Sequence, residues 1–309
     1  MPHSDFESRR LNSFNPRATM RAKVQHQISH KGRAIVSRIL SVVRTGPEKV
    51  LIIPPVARGG NWLYEWMRAY SDSIISRESV TITKKQGMDQ WTAEFPMLQQ
   101  LTIDEKDIRF RSKREIGVHP HIHSDFQLHE IKKFIQNVLL ASPSFQERRQ
   151  LAASCVDNKT LVINVRRGDY YSDPSISHEF GINTIEYVRK ATSEVIKLYE
   201  VKKIVVVSDD LAWCSQNLNF LQETSHTIFT KIGRDMFDDL AVLSVASLLI
   251  LTNTTFGYWG GYIATVTHEP KVWVPNIHQR ATSDLERPPQ HMSQWKAVKP
   301  KHNSWLENK

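Results

Sequence analysis

Short apolar runs, separated by polar turns and by longer stretches of helical spacing, recur along this chain. Val50–Ile53, Leu161–Val165, Lys203–Val207, Leu248–Leu251 and Val272–Pro275 are rich in β-branched and aliphatic residues. Near-continuous apolar runs of this length predict strands buried on both faces of a sheet. Ser79–Thr83 and Thr227–Phe229 predict two shorter strands. Between the strands, Trp62, Leu63, Trp66 and Tyr70 fall on one helical face. So do Ile185, Val188 and Ala191 within Thr184–Leu198, and Leu240, Leu243 and Ala246 within Asp235–Ser247. Phe126–Leu140 also has helical spacing, whereas the stretch before Glu115 reads as a polar region and Phe145–Ala153 as a polar connector. Strands alternating with helices in this way predict a parallel α/β sheet.

Residues 1–19 are polar and read as disordered. From Arg21 to Val43, Ile35, Ile39 and Val42 share a face, which fits a helix packed on the first domain or one lying on a membrane surface. At 309 residues and 40% hydrophobic composition, two domains are expected. The net charge of +9 is unevenly placed: residues 1–46 hold nine Lys and Arg against Asp5 and Glu7. Such an arm either rests on anionic lipid, attracts a polyanion or is a solvated leader. Met1–Arg17 lacks the apolar core of a signal peptide, and no run approaches the roughly 18–20 apolar residues of a membrane span, so a cytoplasmic chain with peripheral membrane contact at most is expected. Cys155 and Cys214 form neither a metal spacing nor a disulfide framework. His119, His121, His123 and His129 cluster, but without cysteine or acidic partners they do not make a metal site, and none is expected.

The chemistry gathers where predicted strands end. Leu161–Val165 runs into Arg166-Arg167-Gly168-Asp169, Lys203–Val207 into Ser208-Asp209-Asp210, and Leu248–Leu251 into Thr252-Asn253-Thr254-Thr255. In a parallel sheet these tips converge on one edge, where ligands bind. Paired guanidiniums form a planar, permanently charged fork for phosphate oxygens. Thr254 and Thr255 add hydroxyls, and the helix expected after them adds backbone N–H groups. The first strand leads into Arg58-Gly59-Gly60-Asn61 and then a helix, the arrangement of a phosphate or sugar cradle or of a simple tight turn. Asp239 lies near the start of a helix and has the acceptor chemistry to read the N–H groups of a guanine edge. Together these features favour a nucleoside-diphosphate donor.

At these residues the chain resembles the α-1,2-fucosyltransferases, glycosyltransferase family 11. The resemblance rests on Asn164-Val165-Arg166-Arg167-Gly168-Asp169-Tyr170, on Ser208-Asp209-Asp210, on Asp239-Leu240, on Asn253-Thr254-Thr255-Phe256-Gly257-Tyr258-Trp259-Gly260-Gly261 and on Gly59-Gly60-Asn61, in order over roughly residues 50 to 275. It implies a GT-B-like α/β fold of two Rossmann-like domains with a facing cleft: an acceptor-side domain at 47–155 and a donor-binding domain at 156–276, flanked by the arm at 1–46 and a tail at 277–309. It implies GDP-fucose as donor, a galactose-containing glycan as acceptor, inversion to an α-1,2 link, and no cofactor or metal. Carried over, Arg166 or Arg167 holds the β-phosphate, Asn61 approaches from the facing domain, Asp239 reads guanine, and Thr254 and Thr255 touch phosphate. Gly59, Gly60, Asn164, Asp209 and Asn253 complete the expected donor contacts. Asn164 stands where the family usually has histidine, and Phe-Gly-Tyr-Trp-Gly-Gly replaces the commoner Phe-Ser-x-Trp-Gly-Ala. Asp169 is the first candidate for the acceptor base, or else a salt-bridge partner of the arginines; Asp173, His178 and Glu179 follow.

Two other classes compete. Pro54–Leu63 and Val165–Tyr170 also resemble nucleotide motifs of sulfotransferases, a reading that leaves Asp209-Asp210 and Trp259-Gly260-Gly261 unexplained. Eight tryptophans and the basic arm allow a non-catalytic carbohydrate or nucleic-acid binder. No nucleic-acid motif accompanies them, so no nucleic-acid partner is expected.

Overall fold

The structure, a computed structural model, describes residues 44–55, 57–117, 127–229, 233, 235–283 and 285–300. The arm before Arg44, the helix expected over 21–43, and His119, His121 and His123 lie outside the described residues.

The first half builds a four-stranded, all-parallel sheet in the order β3-β2-β1-β4. Its elements are β1 (Glu48–Ile52), α1 (Gly60–Ser76), β2 (Ser79–Thr83), α2 (Met88–Glu94), β3 (Thr102–Ile103) and β4 (Lys113–Ile116). Then follow α3 (Leu128–Phe134), which runs into a π-turn at Ile135–Leu139, and α4 (Pro143–Cys155). The second half contains β5 (Thr160–Val165), α5 (Gly168–Ser172), α6 (Pro174–Phe180), α7 (Thr184–Ile196), β6 (Lys203–Ser208), α8 (Leu211–Asn217), β7 (His226–Ile228), α9 (Met236–Val245), β8 (Leu248–Leu251), α10 (Thr255–His268), β9 (Lys271–Pro275) and β10 (Lys296–Val298). Its six strands are all parallel, in the order β10-β9-β8-β5-β6-β7. The chain thus forms the expected α/β architecture of two parallel sheets.

Every residue of β5 is buried, which explains why its run is apolar except at Thr160 and Asn164. Period-2 alternation divides that strand between two cores. Leu161, Ile163 and Val165 pack with Val188, Ala191 and Val195 of α7. Val162 faces a larger core that joins both sheets, containing Leu51, Trp66 and Trp91 together with Leu240, Leu243 and Trp259. Strand order reverses between β5 and β8, and between β1 and β4, so each sheet has a switch point where neighbouring connections leave in opposite directions.

Some expectations change. The 143–155 segment is a helix rather than a connector: the Ser142 hydroxyl accepts from the Phe145 N–H, and Pro143 occupies the first turn. It packs against α9, so it binds the two halves together. β4, Lys-Arg-Glu-Ile, is an edge strand paired only with β1, and its charged composition hides it. Residues 277–300, expected within a tail, return to the second sheet, where Lys296–Val298 pairs with Trp273–Pro275.

Candidate active site

Arg166 and Arg167 leave the carboxyl end of β5, beside the switch point, and their guanidiniums have different partners. The Arg166 N–H donates to Thr252 Oγ1 at 3.2 Å. Its guanidinium donates to Asp169 Oδ1 at 2.6 Å and to Asp209 Oδ2 at 2.8 Å. Asp209 also accepts from the Arg167 N–H at 2.8 Å, so one carboxylate fixes both arginines. Burial works against the Arg166 charge, yet Asp209 and Asp169 outweigh it and hold the pKa above the usual guanidinium value. Gly168 makes room for this arrangement: its φ is +23°, and a Cβ there would stand 2.5 Å from Asp209 Oδ2.

Arg167 has no carboxylate partner among the described residues. Its guanidinium lies between two rings, 3.4 Å from the Tyr171 centroid and 3.8 Å from the Trp213 centroid. Cation–π contact holds the fork flat while leaving its N–H groups uncommitted. Both rings are themselves anchored. The Tyr171 hydroxyl donates to the Ile182 carbonyl at 2.8 Å. Asp210 caps α8 by accepting from the Trp213 N–H at 2.9 Å. Two carboxylates neutralise Arg166, so the cation available to a ligand is Arg167.

The second group of donors is the amino end of α10. Thr254 sits at its N-cap without a side-chain capping bond. The N–H groups of Thr255, Phe256 and Gly257 have no acceptor among the described residues. An uncapped helix start presents partial positive charge to an anion. The amino end of α1, also uncapped, meets it from the other sheet. A Cβ on Gly60 would stand 2.7 Å from the Phe256 nitrogen and 2.8 Å from Thr255 Oγ1. Trp259 Nε1 donates to the Gly60 carbonyl at 2.8 Å, pinning the loop after β1 onto α10. Gly59 has φ +48°, a conformation that favours glycine, and nothing lies within 4 Å of its would-be Cβ. Asn61 follows on the first turn, half-buried, with no side-chain hydrogen bond among the described residues.

The structure forms two groups of these residues: Arg166, Arg167, Asp169 and Asp209 where β5 and β6 end, and Gly59, Gly60, Asn61, Thr254 and Thr255 where the starts of α1 and α10 meet, with the Arg166 N–H bond to Thr252 between them. It places two expected contacts elsewhere. Asn164 is 4% exposed: its amide donates to the Val207 carbonyl at 3.4 Å, and its unpaired Oδ1 faces Gly257, where a Cβ would collide with it. Alternation along β5 turns this side chain into the core rather than toward the strand tip. Asn253 is 2% exposed and donates to the Phe180 and His278 carbonyls at 2.7 and 2.8 Å, tying α6 to the segment after β9. Asp239 is half-buried in the first turn of α9. Asp173 caps α6 through the Ser175 N–H. Three contributors escape the sequence reading: Thr252, which receives the Arg166 N–H, and the Tyr171 and Trp213 rings. Tyr170-Tyr171 after Asp169 and Trp213 shortly after Asp210 are the sequence signal that hints at the rings; Thr252 has none.

Glu65 on α1 is fully buried, and neither carboxylate oxygen is hydrogen-bonded among the described residues. Burial raises its pKa to about 7, Arg68 opposing and Glu115 assisting. Gly117 packs directly on it, where a Cβ would fall 2.6 Å from Oε2.

Fold and site define an α/β protein of two parallel sheets with paired arginines and an uncapped helix start at the strand tips of the second. The chain belongs to glycosyl transferase family 11, whose model matches residues 107–287. It is 25% identical over 123 residues to the O-antigen biosynthesis glycosyltransferase WbnK of Escherichia coli, covering 38% of this chain and 40% of that protein. It is 29% identical over 147 residues to galactoside alpha-(1,2)-fucosyltransferase 1 of Leontocebus fuscicollis, covering 46% and 38%. The chain thus spans about two fifths of the length of these curated relatives. Among solved structures, POFUT1 in complex with GDP aligns with 74% of this chain and 98% of its own at 11% identity and a TM-score of 0.44. A point mutant of Arabidopsis thaliana FUT1 in complex with GDP aligns with 73% and 69% at 14% identity and a TM-score of 0.39.

Proposed function

We propose that this family 11 glycosyltransferase moves fucose from GDP-fucose to a galactoside hydroxyl, with inversion, giving an α-1,2 link. The observation that carries the reading is the placement of two adjacent guanidiniums, Arg166 and Arg167, at the carboxyl end of β5, and of the uncapped start of α10 after β8, the neighbouring strand across the switch point. The name of the Leontocebus fuscicollis relative agrees with fucose transfer and with the linkage.

In this reading the diphosphate lies between Arg167 and the N–H groups of Thr255 and Phe256, with Thr254 and Thr255 hydroxyls beside it. Charge builds on the diphosphate as the glycosidic bond breaks. Donors already fixed in place stabilise that charge more in the transition state than in the ground state. Arg166 acts with Arg167, and its two carboxylates keep the fork from reorganising as charge develops. Asp169 serves by fixing Arg166 rather than as acceptor base. Asn61 reaches the donor from the facing sheet, and Asp239 reads the guanine edge. These groups, rather than a metal, meet the leaving group's charge.

Thermal-shift measurements with GDP, GDP-fucose, UDP-sugars and adenosine phosphosulfate test the donor class. Stabilisation by the guanosine nucleotides is expected; stabilisation by adenosine phosphosulfate alone would overturn the reading. Labelled transfer from GDP-fucose to galactosides tests the acceptor, and incorporation at a position other than O2 would refute the linkage.

A further inference from the structure

The other end of the first sheet carries a feature that donor chemistry does not use. Parallel strands place the segments feeding β1, β2 and β4 at one end, opposite the strand tips, as the register of Glu48 with Ser79 and of Lys49 with Lys113 shows. Arg44 leads into β1, Arg77 into β2, and Arg109-Phe110-Arg111 into β4. The loops are tied together, the Gly46 N–H donating to the Arg111 carbonyl at 3.0 Å. Two acids here are already paired, Glu48 with Arg109 at 2.9 Å and Glu78 with Lys113 at 2.7 Å, and Asp107 lies beside Glu48 and Arg109. Arg44, Arg77 and Arg111 have no carboxylate partner among the described residues, and Arg114 further disfavours the charge on Arg44, whose pKa is lowered chiefly by burial. Large apolar side chains are exposed at this same end: Phe110 at 62%, Ile74 at 51% and Ile75 at 73%. Residues 1–43, which precede Arg44 in sequence, add eight Lys and Arg against two acids.

We propose that this end of the first sheet is a docking face for an anionic membrane surface. Exposed aliphatic and aromatic side chains among unpaired arginines match the interface between acyl chains and anionic headgroups. The apolar groups enter the boundary, while guanidiniums on long stems stay with phosphate. A polyanion such as nucleic acid would satisfy the arginines but would leave Phe110, Ile74 and Ile75 in water. Docking by this end leaves the strand tips, on the opposite side, open to donor and acceptor.

Flotation of the full chain with phosphatidylcholine vesicles, with and without phosphatidylglycerol, tests the proposal. Recovery is expected on the anionic vesicles and is expected to fall with salt. Arg77→Gln with Arg111→Gln lowers the partition coefficient roughly 25-fold, about fivefold for each charge. Arg77→Lys with Arg111→Lys retains most binding. Phe110→Ser costs about a further tenfold through lost apolar burial. Thermal stabilisation by GDP is unchanged in all these variants, so failure here is distinguishable from failure of the donor reading. Equal recovery on both vesicle types, undiminished recovery of the Gln and Ser variants, or retention on duplex DNA without vesicle binding would each overturn it.

Discussion

Gly60→Ala sets two rules against each other. Inside a helix, alanine is favoured over glycine by about 1 kcal/mol, and Gly60 has no left-handed φ to forbid it. Propensity alone therefore predicts a more stable protein. The new Cβ, however, would stand 2.7 Å from the Phe256 nitrogen and 2.8 Å from the Thr255 carbonyl carbon. That is about 0.7 Å short of ordinary contact. Both atoms are backbone, so no rotamer change relieves the overlap and the starts of α1 and α10 must separate. Overpacking of this kind costs about 1–3 kcal/mol, leaving a net loss of about 1 kcal/mol. The separation also carries the α10 N–H groups away from a bound diphosphate, and transfer is expected to drop by roughly tenfold to a hundredfold. Urea melts and calorimetric titration with GDP measure both effects. Gly59→Ala is the comparator: with φ +48°, ψ −118° and no neighbour within 4 Å, it costs about 1–3 kcal/mol of backbone strain without moving α10. A Gly60→Ala protein that melts at higher urea and binds GDP as wild type does would refute the juxtaposition of the two helix starts.

Three other outcomes follow from the same geometry. Arg167→Ala loses about 1 kcal/mol of cation–π contact with Tyr171 and Trp213 and weakens GDP binding tenfold or more, roughly one charge-assisted hydrogen bond; Arg166→Ala, which frees Asp169 and Asp209 at a site 36% exposed, lowers stability by about 1 kcal/mol with a smaller effect on GDP. Equal effects of the two on GDP titration would contradict the asymmetry. Glu65 keeps its proton up to about pH 7 in the native state, against 4.5 ordinarily, so the folded form holds the extra proton across that window. Stability falls as pH rises through it and levels off above it, and Glu65→Gln gains roughly 2 kcal/mol at about pH 8 but little at about pH 4.5; a pH-independent gain would exclude this cause. Asn253→Ala leaves the Phe180 and His278 carbonyls unpaired and lowers urea stability by about 2 kcal/mol; a loss confined to GDP affinity would return Asn253 to the donor site.

Strands were legible where burial on both faces made them apolar throughout: Leu248–Leu251 is a strand over the bounds expected, and Leu161–Val165 gains only Thr160. The arginine pair, its glycine and the threonines after β8 were legible because the switch-point rule ties chemistry to strand ends. β4 was not, because an edge strand of Lys, Arg and Glu has neither alternation nor apolar content. α4 was missed although Ser142-Pro143 signalled its start, because Phe145 and Ala152 alone are buried among its residues. The different roles of Arg166 and Arg167 were out of reach: sequence shows two adjacent guanidiniums, and only the fold decides that Asp209 reaches one and Trp213 the other. Sequence also could not show that Asn164 and Asn253 are buried with their amides donating to backbone carbonyls.

The shared interior that runs from Trp66 and Trp91 through Phe237 to Trp259 makes the two halves inseparable. A cut between Cys155 and Thr160 would strip α4 from α9 and wet a wall of aromatic rings on each fragment. Neither fragment is expected to be soluble alone, and the intact chain should melt in one step. The same continuity forbids wide hinge opening. Substrates must enter through local yielding of surface loops, and turnover would then be paced by those loops rather than by swinging lobes.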